Sequence, residues 1–374
     1  MTNKKRKTPC YIVEESLLRK NLEILKGIMD NTGCHILLAQ KAFSMFKLYP
    51  LIGEYLSGTA SSGLFEARLG FEEMGKENHT FSPAFKEEDF PEILNYSDHI
   101  IFNSKNQLTF FKEACIKAGV SYGIRINPEF STQEGPAIYD PCAKGSRLGI
   151  PLSEVDEGLL KEVDGIHFHT LCEQGSEPLR DTLEVIEEKI GGYFKGLKWI
   201  NLGGGHHITR EDYNRDLLIE LILRLKSYGV EVYLEPGEAI ALNAGTLETK
   251  VLDIMEGDPN IAIVDTSAAC HMPDVLEMPY RPPLKDSGMM GEKKYGYRFG
   301  GPTCLAGDII GEYSFDRELD KGDILSFEDM AIYTMVKNNT FNGMPLPSIL
   351  LKREDGIIET IKEFQYEDFK NRLS

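Results

Sequence analysis

Short apolar runs, each followed by a stretch of helical periodicity, fill the first 240 residues of the chain. The first helical pattern covers 14–29, "EESLLRKNLEILKGIM", with leucines at helical spacing and acidic residues in the opening turn. Eight runs after it read as strands: "ILLAQ" (36–40), "GTASS" (58–62), "HTFSP" (79–83), "HIIFN" (99–103), "YGIRIN" (122–127), "GIHFHT" (165–170), "WINLG" (199–203) and "EVYLEP" (231–236). "GTASS" is the least apolar of them. Helical patterns such as "SKNQLTFFKEACIKAG" and "DYNRDLLIELILRLKSYG" lie between the strands, and Gly229 fits as the C-cap of the second. Eight strand–helix alternations predict a (β/α)8 barrel over 14–240; a doubly wound open sheet is the alternative.

The texture changes at Ala241. "TLETKVLDIM", "IAIVD", "YGYRFG", "DILSFEDM", "AIYTMV" and "SILLKRE" are short strand-like runs broken by Gly, Pro and Asp. They predict an all-β barrel domain over 241–374, to which residues 1–13, with "CYIVE", add a strand. The α/β barrel is then inserted into the β domain.

Composition narrows the function classes only slightly. The chain has 374 residues, 41% hydrophobic and 27% charged, which suits two globular domains. A net charge of −18 argues against nucleic acid as a partner and is compatible with a cationic substrate. No window has the apolar length of a membrane span, and the basic opening "MTNKKRKTPC" lacks the apolar stretch of a secretory signal. Seven cysteines without CxxC spacing suit a reducing, cytoplasmic setting. His167, His169, His206, His207 and His271 show no metal-ligand spacing, so no metal is expected.

In a (β/α)8 barrel the reactive groups gather at the C-terminal ends of the strands. Lys41 follows the first strand, His169 the sixth, Gly203, Gly204 and Gly205 the seventh, and Glu235 the eighth. Each has two readings. Lys41 either snorkels to solvent or, desolvated, offers a neutral amine for a Schiff base. The glycine run is a flexible turn or a backbone cradle for an anion such as phosphate. Glu235 in "LEPGEA" is a turn carboxylate or the partner of a pyridine nitrogen. His169 is a core histidine or a ring that stacks on a flat cofactor; for His167 the core reading is the better one. A lysine, a phosphate cradle and a carboxylate together suit pyridoxal 5'-phosphate (PLP).

The order Lys41, "HTLCE", "NLGGGHHIT", "EPGEA", "ACHMPDVLEMPYRP", "GGPTCLAGD" and "AIYT" resembles the fold-type III PLP-dependent decarboxylases. That family comprises the ornithine, diaminopimelate and arginine enzymes with an alanine racemase-like barrel. The likeness covers nearly the whole chain, and it is closest to the branch that acts on a carboxylated polyamine. It implies that Lys41 binds the cofactor covalently, His169 stacks on its ring, Gly203–Gly205 and Tyr333 bind its phosphate, and Glu235 meets its ring nitrogen. It also implies a homodimer with shared active sites, in which Cys304 reaches in from the second subunit as acid or gatekeeper, with Asp308 nearby. The ornithine, diaminopimelate and arginine enzymes carry Arg after E-P-G where this chain has Glu238, and Leu305 stands where the ornithine enzyme has Asp. Glu238 and Asp274 are therefore the candidates for the substrate's far amines, together with Asp308. Asp274 also reads as a turn cap, Cys304 as an inert thiol and Tyr333 as a packing residue. Arg125 faces the pocket on pattern but is assigned no role. Diaminopimelate, ornithine or arginine decarboxylation, or a non-catalytic PLP- or polyamine-binding regulator, are the alternative functions.

Overall fold

In the computed structural model, which describes residues 7–134 and 140–374, each of the eight apolar runs becomes a strand. They are His35–Ala39, Gly58–Ser61, Glu77–Phe81, His99–Phe102, Ser121–Asn127, Gly165–His167, Trp199–Asn201 and Glu231–Leu234. Each pairs in parallel with the next, and the eighth pairs in parallel with the first, so the sheet closes into a barrel. The open-sheet alternative is excluded by that closure.

The unpromising "GTASS" run is a strand because all of Gly58–Ser61 is buried and its polar groups are satisfied. Thr59 and Ser61 hydroxyls both donate to Asn78 Oδ1, at 3.0 and 2.7 Å. Such pairing removes most of the cost of burying a hydroxyl. The single tryptophan, Trp199, fills the barrel interior with Leu37, Ala60, Ile101 and Tyr233. Two glycines on neighbouring strands leave room for its indole: a Cβ on Gly165 would lie 2.1 Å, and one on Gly123 2.4 Å, from its ring atoms.

The helical patterns also hold. Glu15–Thr32 is a helix, as is Lys105–Ala118, where the Ser104 side chain caps the start and Gly119 (φ 70°) the end. The helix Arg215–Lys226 ends on Ser227, not on Gly229. Gly229 (φ 88°) lies one turn further, where its N–H bonds Lys226 O at 2.9 Å and the chain reverses.

The chain divides into two compact units, 20–240 and the remainder, residues up to 19 with 241–374. The second unit is built on a mixed sheet in the order Ile309–Phe315, Tyr295–Gly300, Asn260–Val264, Gly245–Met255, Cys10–Glu14, Ser348–Lys352, Ile358–Lys362, with Ile324–Phe327 also paired to Gly245–Met255. "CYIVE" joins this sheet as expected, antiparallel to Gly245–Met255 and parallel to Ser348–Lys352. Short helices at Ala268–His271, Asp274–Glu277 and Tyr366–Lys370 interrupt the all-β texture. "AIYTMV" is not a strand: the chain turns there, with Tyr333 at φ 48° and Val336 N–H bonding Tyr333 O. Two strands were not foreseen, Ile309–Phe315 and the largely exposed Ile358–Lys362. Among the described residues no helix is long and apolar enough to cross a membrane.

Candidate active site

Side chains on a strand alternate between faces, so a residue two places beyond an inward one also points inward. Arg125, His167, Asn201 and Glu235 each stand two places beyond Gly123, Gly165, Trp199 and Tyr233. Register sets Arg125 beside His167 and His167 beside Asn201. Asn201 Nδ2 donates to Glu235 Oε1 at 2.7 Å, and His167 Nε2 lies 3.4 Å from Glu235 Oε2. Among the described residues neither His167 ring nitrogen has a well-formed hydrogen bond. Burial would raise the Glu235 pKa, but His167, His79 and Asn201 outweigh it and hold the carboxyl at about 2. Burial lowers the His167 pKa against the pull of Glu235. The pair at neutral pH is therefore a carboxylate beside an uncharged imidazole.

Lys41 follows the first strand by two residues. Its side chain is accessible by surface area, yet desolvation is the largest cause of a lowered pKa, followed by the Arg125 guanidinium; Glu235 opposes both. The two findings agree for an amine that lines a concavity: water reaches it, but protein replaces much of the bulk solvent. Among the described residues Lys41 has no hydrogen bond or ion pair. Arg125 is buried, donates through Nη2 to His169 O at 3.0 Å, and lies 4.7 Å over the Phe81 ring. Burial lowers its pKa to about 10, so it stays a cation. It therefore fixes the backbone of His169 and disfavours a second cation at Lys41. His169 itself lies two residues past the end of its strand, half-buried. Burial, then Lys41 and Arg125, push its pKa well below the ordinary value.

The glycine run is a packed turn. A Cβ would lie 2.4 Å from Phe168 O on Gly203, 2.3 Å from Glu235 O on Gly204, and 2.0 Å from Leu171 O on Gly205. Gly203 (φ 67°) and Gly205 (φ 82°) are also left-handed. Gly203 N–H donates to Asn201 Oδ1 at 2.9 Å and Gly204 N–H to His169 Nδ1 at 3.1 Å. The Gly205 N–H has no acceptor among the described residues. The turn thus aims the His169 ring as well as offering a donor. Glu238, after the Glu235-Pro-Gly turn, lies 3.3 Å from His207 Nε2, which gives this carboxylate a neighbour unrelated to phosphate.

The other sequence candidates belong to the sheet unit. Asp308 is 3% exposed and accepts from Ser267 Oγ (3.0 Å), Ala269 N (3.2 Å), Thr303 Oγ1 (2.6 Å) and Thr303 N (3.4 Å). Both of its oxygens accept hydrogen bonds, so it anchors the 301–308 loop. Cys304 stands on that loop, exposed, with its N–H on Asn342 Oδ1 at 2.7 Å. Asp274 opens the short helix Asp274–Glu277 and forms an ion pair with Lys337, which also bonds Glu277 at 2.5 Å. Tyr333 is half-buried in its left-handed turn.

Sequence reasoning missed Asn201 and His79 and gave Arg125 nothing to do. Asn201 opens the "NLGGGHH" motif, and its register beside His167 was the signal. At the other end of the barrel, Glu77, His79 and His99 each bring a donor atom within 4.8 Å of the others, outside the five histidines weighed for a metal. The rings of His79 and His99 stack at 4.0 Å and 27°, with His79 Nε2 3.0 Å and His99 Nε2 3.6 Å from Glu77 Oε1.

Residues 10–331 match the model of the pyridoxal-dependent decarboxylase, C-terminal sheet domain. The chain is 42% identical to a carboxynorspermidine/carboxyspermidine decarboxylase of Campylobacter jejuni, over 100% of both chains. It is 40% identical to a carboxyaminopropylagmatine decarboxylase of Synechocystis, over 98% of this chain and 95% of that one. The crystal structure of carboxynorspermidine decarboxylase complexed with norspermidine, from Campylobacter jejuni, superposes with a TM-score of 0.91 at 42% identity, covering 98% of this chain and 100% of that one.

Proposed function

This chain belongs to the pyridoxal-dependent decarboxylases, and from that premise we propose that it removes CO2 from a carboxylated triamine, carboxynorspermidine or carboxyspermidine, to give norspermidine or spermidine in polyamine biosynthesis. The observation that carries this reading is the barrel mouth, where an amine of lowered pKa shares one cluster with a buried anionic carboxylate and a turn only glycine can form.

These residues fit PLP. The Lys41 amine would hold its aldehyde carbon and Glu235 its ring nitrogen. The His169 ring would cover its face, and the Gly203–Gly205 turn, with Tyr333, its phosphate. When bound, the cofactor supplies a sink for the electron pair left on Cα as CO2 departs. The protein's part is electrostatic and positional. Glu235 stays ionised and so favours a protonated ring nitrogen. Arg125 holds the His169 carbonyl and Gly204 N–H its Nδ1, so the imidazole is fixed from both sides. The neutral His169 adds no charge beside Lys41, which keeps the amine nucleophilic. Glu238 and Asp274 are the substrate carboxylates we retain, for the far ammonium groups. The enzyme acts as a homodimer with shared sites: Cys304 lies exposed near the exposed apolar Leu305 and Phe341, a surface suited to a second copy, and its thiol returns the proton to Cα.

The Synechocystis relative supports a second reading, carboxyaminopropylagmatine, whose far end is a guanidinium. One assay separates them: CO2 release from carboxynorspermidine, carboxyspermidine, carboxyaminopropylagmatine, diaminopimelate, ornithine and arginine. The first two are expected to exceed the three amino acids in kcat/KM by at least about 100-fold, since unpaired pocket carboxylates penalise a short substrate. Faster turnover of diaminopimelate, ornithine or arginine overturns the proposal, and highest kcat/KM on the agmatine derivative selects the second reading.

A further inference from the structure

The loop after His169 carries Glu173, a carboxylate to which the sequence assigned no role. Its backbone is fixed. Gln174 N–H donates to Gly205 O at 3.1 Å and His207 N–H to Gln174 O at 3.2 Å, so this loop is stitched to the glycine turn. Glu173 itself sits at φ 55°, a conformation that non-glycine residues seldom adopt and that clusters at functional sites.

Its side chain, accessible by area, has no hydrogen bond or ion pair among the described residues. The charged groups around it are Glu238, His207 and Arg210, all of which act on its ionisation. His207 is already placed between Glu238 (3.3 Å) and Arg210 (3.3 Å). Arg210 is engaged by both oxygens of Asp212, at 2.9 and 2.7 Å. Two carboxylates are thus brought together with no cation dedicated to Glu173, and partial desolvation, then Glu238, raise its pKa. Folding gains nothing from such a pair; a cationic ligand does. Cys172, next in the chain to Glu173, is under the electrostatic influence of Lys41 as well as of Glu173 and Glu238.

We propose that Glu173 and Glu238 form one subsite for the two ammonium nitrogens beyond the amino acid head of the substrate, with Glu173 a specificity-determining residue. This rests on the triamine reading above. Glu173 then meets the distal nitrogen by a charge-assisted hydrogen bond, in addition to the Glu238 and Asp274 carboxylates proposed above.

The test uses PLP-loaded enzyme, calorimetry and two probes, norspermidine and 1,3-diaminopropane, which lacks the distal nitrogen. Glu173→Gln is expected to weaken norspermidine by about tenfold and to raise KM for the carboxylated triamine similarly, the size of one charge-assisted bond in a partly solvated site. Diaminopropane is expected to change less than about twofold, and the melting temperature to hold or rise as like-charge repulsion is relieved. Glu173→Asp should recover part of the loss. Unaltered norspermidine affinity in Glu173→Gln overturns the subsite. So does equal weakening of both amines with a lower melting temperature, which marks Glu173 as structural. Failure of the triamine reading appears separately, in wild-type enzyme that neither binds norspermidine nor decarboxylates its carboxylated form.

Discussion

The two ends of the barrel are built from the same chemistry and do different work. At the N-terminal end, Glu77 opens the third strand and accepts from His79 Nε2 at 3.0 Å, with His99 Nε2 3.6 Å away. Burial would raise its pKa, but the two histidines and Tyr233 hold it at about 2. At the C-terminal end Glu235 is also held at about 2, also against burial, also by histidines and an uncharged donor. What differs is saturation. The N-terminal groups mostly pack against one another, leaving one buried ring nitrogen, His99 Nδ1, without a partner among the described residues: His79 stacks on His99 at 4.0 Å, His99 on Trp199 at 5.1 Å, and His35 on Tyr233 at 4.8 Å. The C-terminal groups are left with open valences, at Lys41 and at both ring nitrogens of His167. A perturbed carboxylate with one unpaired neighbour therefore does not by itself mark the reactive end; an unpaired amine gathered with further unpaired groups does.

The largest expected effect follows from that contrast. Lys41→Ala should lower kcat/KM by at least about 10⁴-fold, as losses of a covalent residue do. Glu77→Gln should leave kcat/KM within about threefold and lower the melting temperature by several degrees. Borohydride reduction and peptide mapping should find the pyridoxyl mass on Lys41 in wild type. A Glu77→Gln enzyme as inactive as Lys41→Ala would erase the distinction between the ends. The same variant tests the shared sites: mixed with Cys304→Ala, Lys41→Ala should recover up to about a quarter of wild-type activity through hybrid dimers. No recovery after proven subunit exchange argues for self-contained sites.

How much of this was legible depended on the kind of information each residue carries. The strands were readable because apolar runs and breakers are local, and the positions of Lys41, His169 and Glu235 because they follow directly from strand ends. Even "GTASS" was placed correctly by alternation, although its reason for folding, Asn78 beneath Thr59 and Ser61, lies on the next strand. Asn201 and Arg125 were opaque for that reason. Their roles are set by register between strands distant in sequence, which no local pattern encodes. The donors to Asp308 were only partly legible, because Thr303 lies in the same motif while Ser267 and Ala269 are brought to it by the fold. "AIYTMV" had a strand's apolarity, but the left-handed backbone at Tyr333 ends any ladder.

A smaller effect probes what keeps Glu235 charged. Glu235→Gln should lower kcat by about 10²-fold, and Asn201→Ala by about tenfold, through the lost 2.7 Å bond and the freed Gly203 N–H. Asn201 also touches His79 Nδ1, at 3.4 Å, and so is the link between the two ends. If it acts by positioning Glu235, Asn201→Ala should shift the absorbance of bound PLP toward that of Glu235→Gln while the melting temperature moves little. A matched loss of stability and activity with an unchanged spectrum would make it a packing residue.

The smallest effect is the pH dependence of stability, and here the ends should behave alike. Burial pushes His99 down to about 3 and both His206 and His271 to about 4. Their unfolded counterparts take a proton near 6.5, so between 6.5 and 4 the unfolded chain binds more protons. Stability is therefore full above that range and falls as pH drops through it, by at most about 1.4 kcal/mol per pH unit for each histidine. Glu77 and Glu235, depressed to about 2 from 4.5, add a second stabilising contribution, present in full above 4.5 and lost as pH falls toward 2. His99→Phe keeps a ring against Trp199 and removes one proton site. Melting curves from pH 7 to 4 should flatten by about a fifth in that variant, since His167 and His169 are depressed as well, and the acidic limb should shrink slightly as Glu77 loses one of the groups that depress it. An unchanged upper slope would mean that His99 is protonated in the folded state, and that the N-terminal cluster holds a charge the C-terminal one excludes.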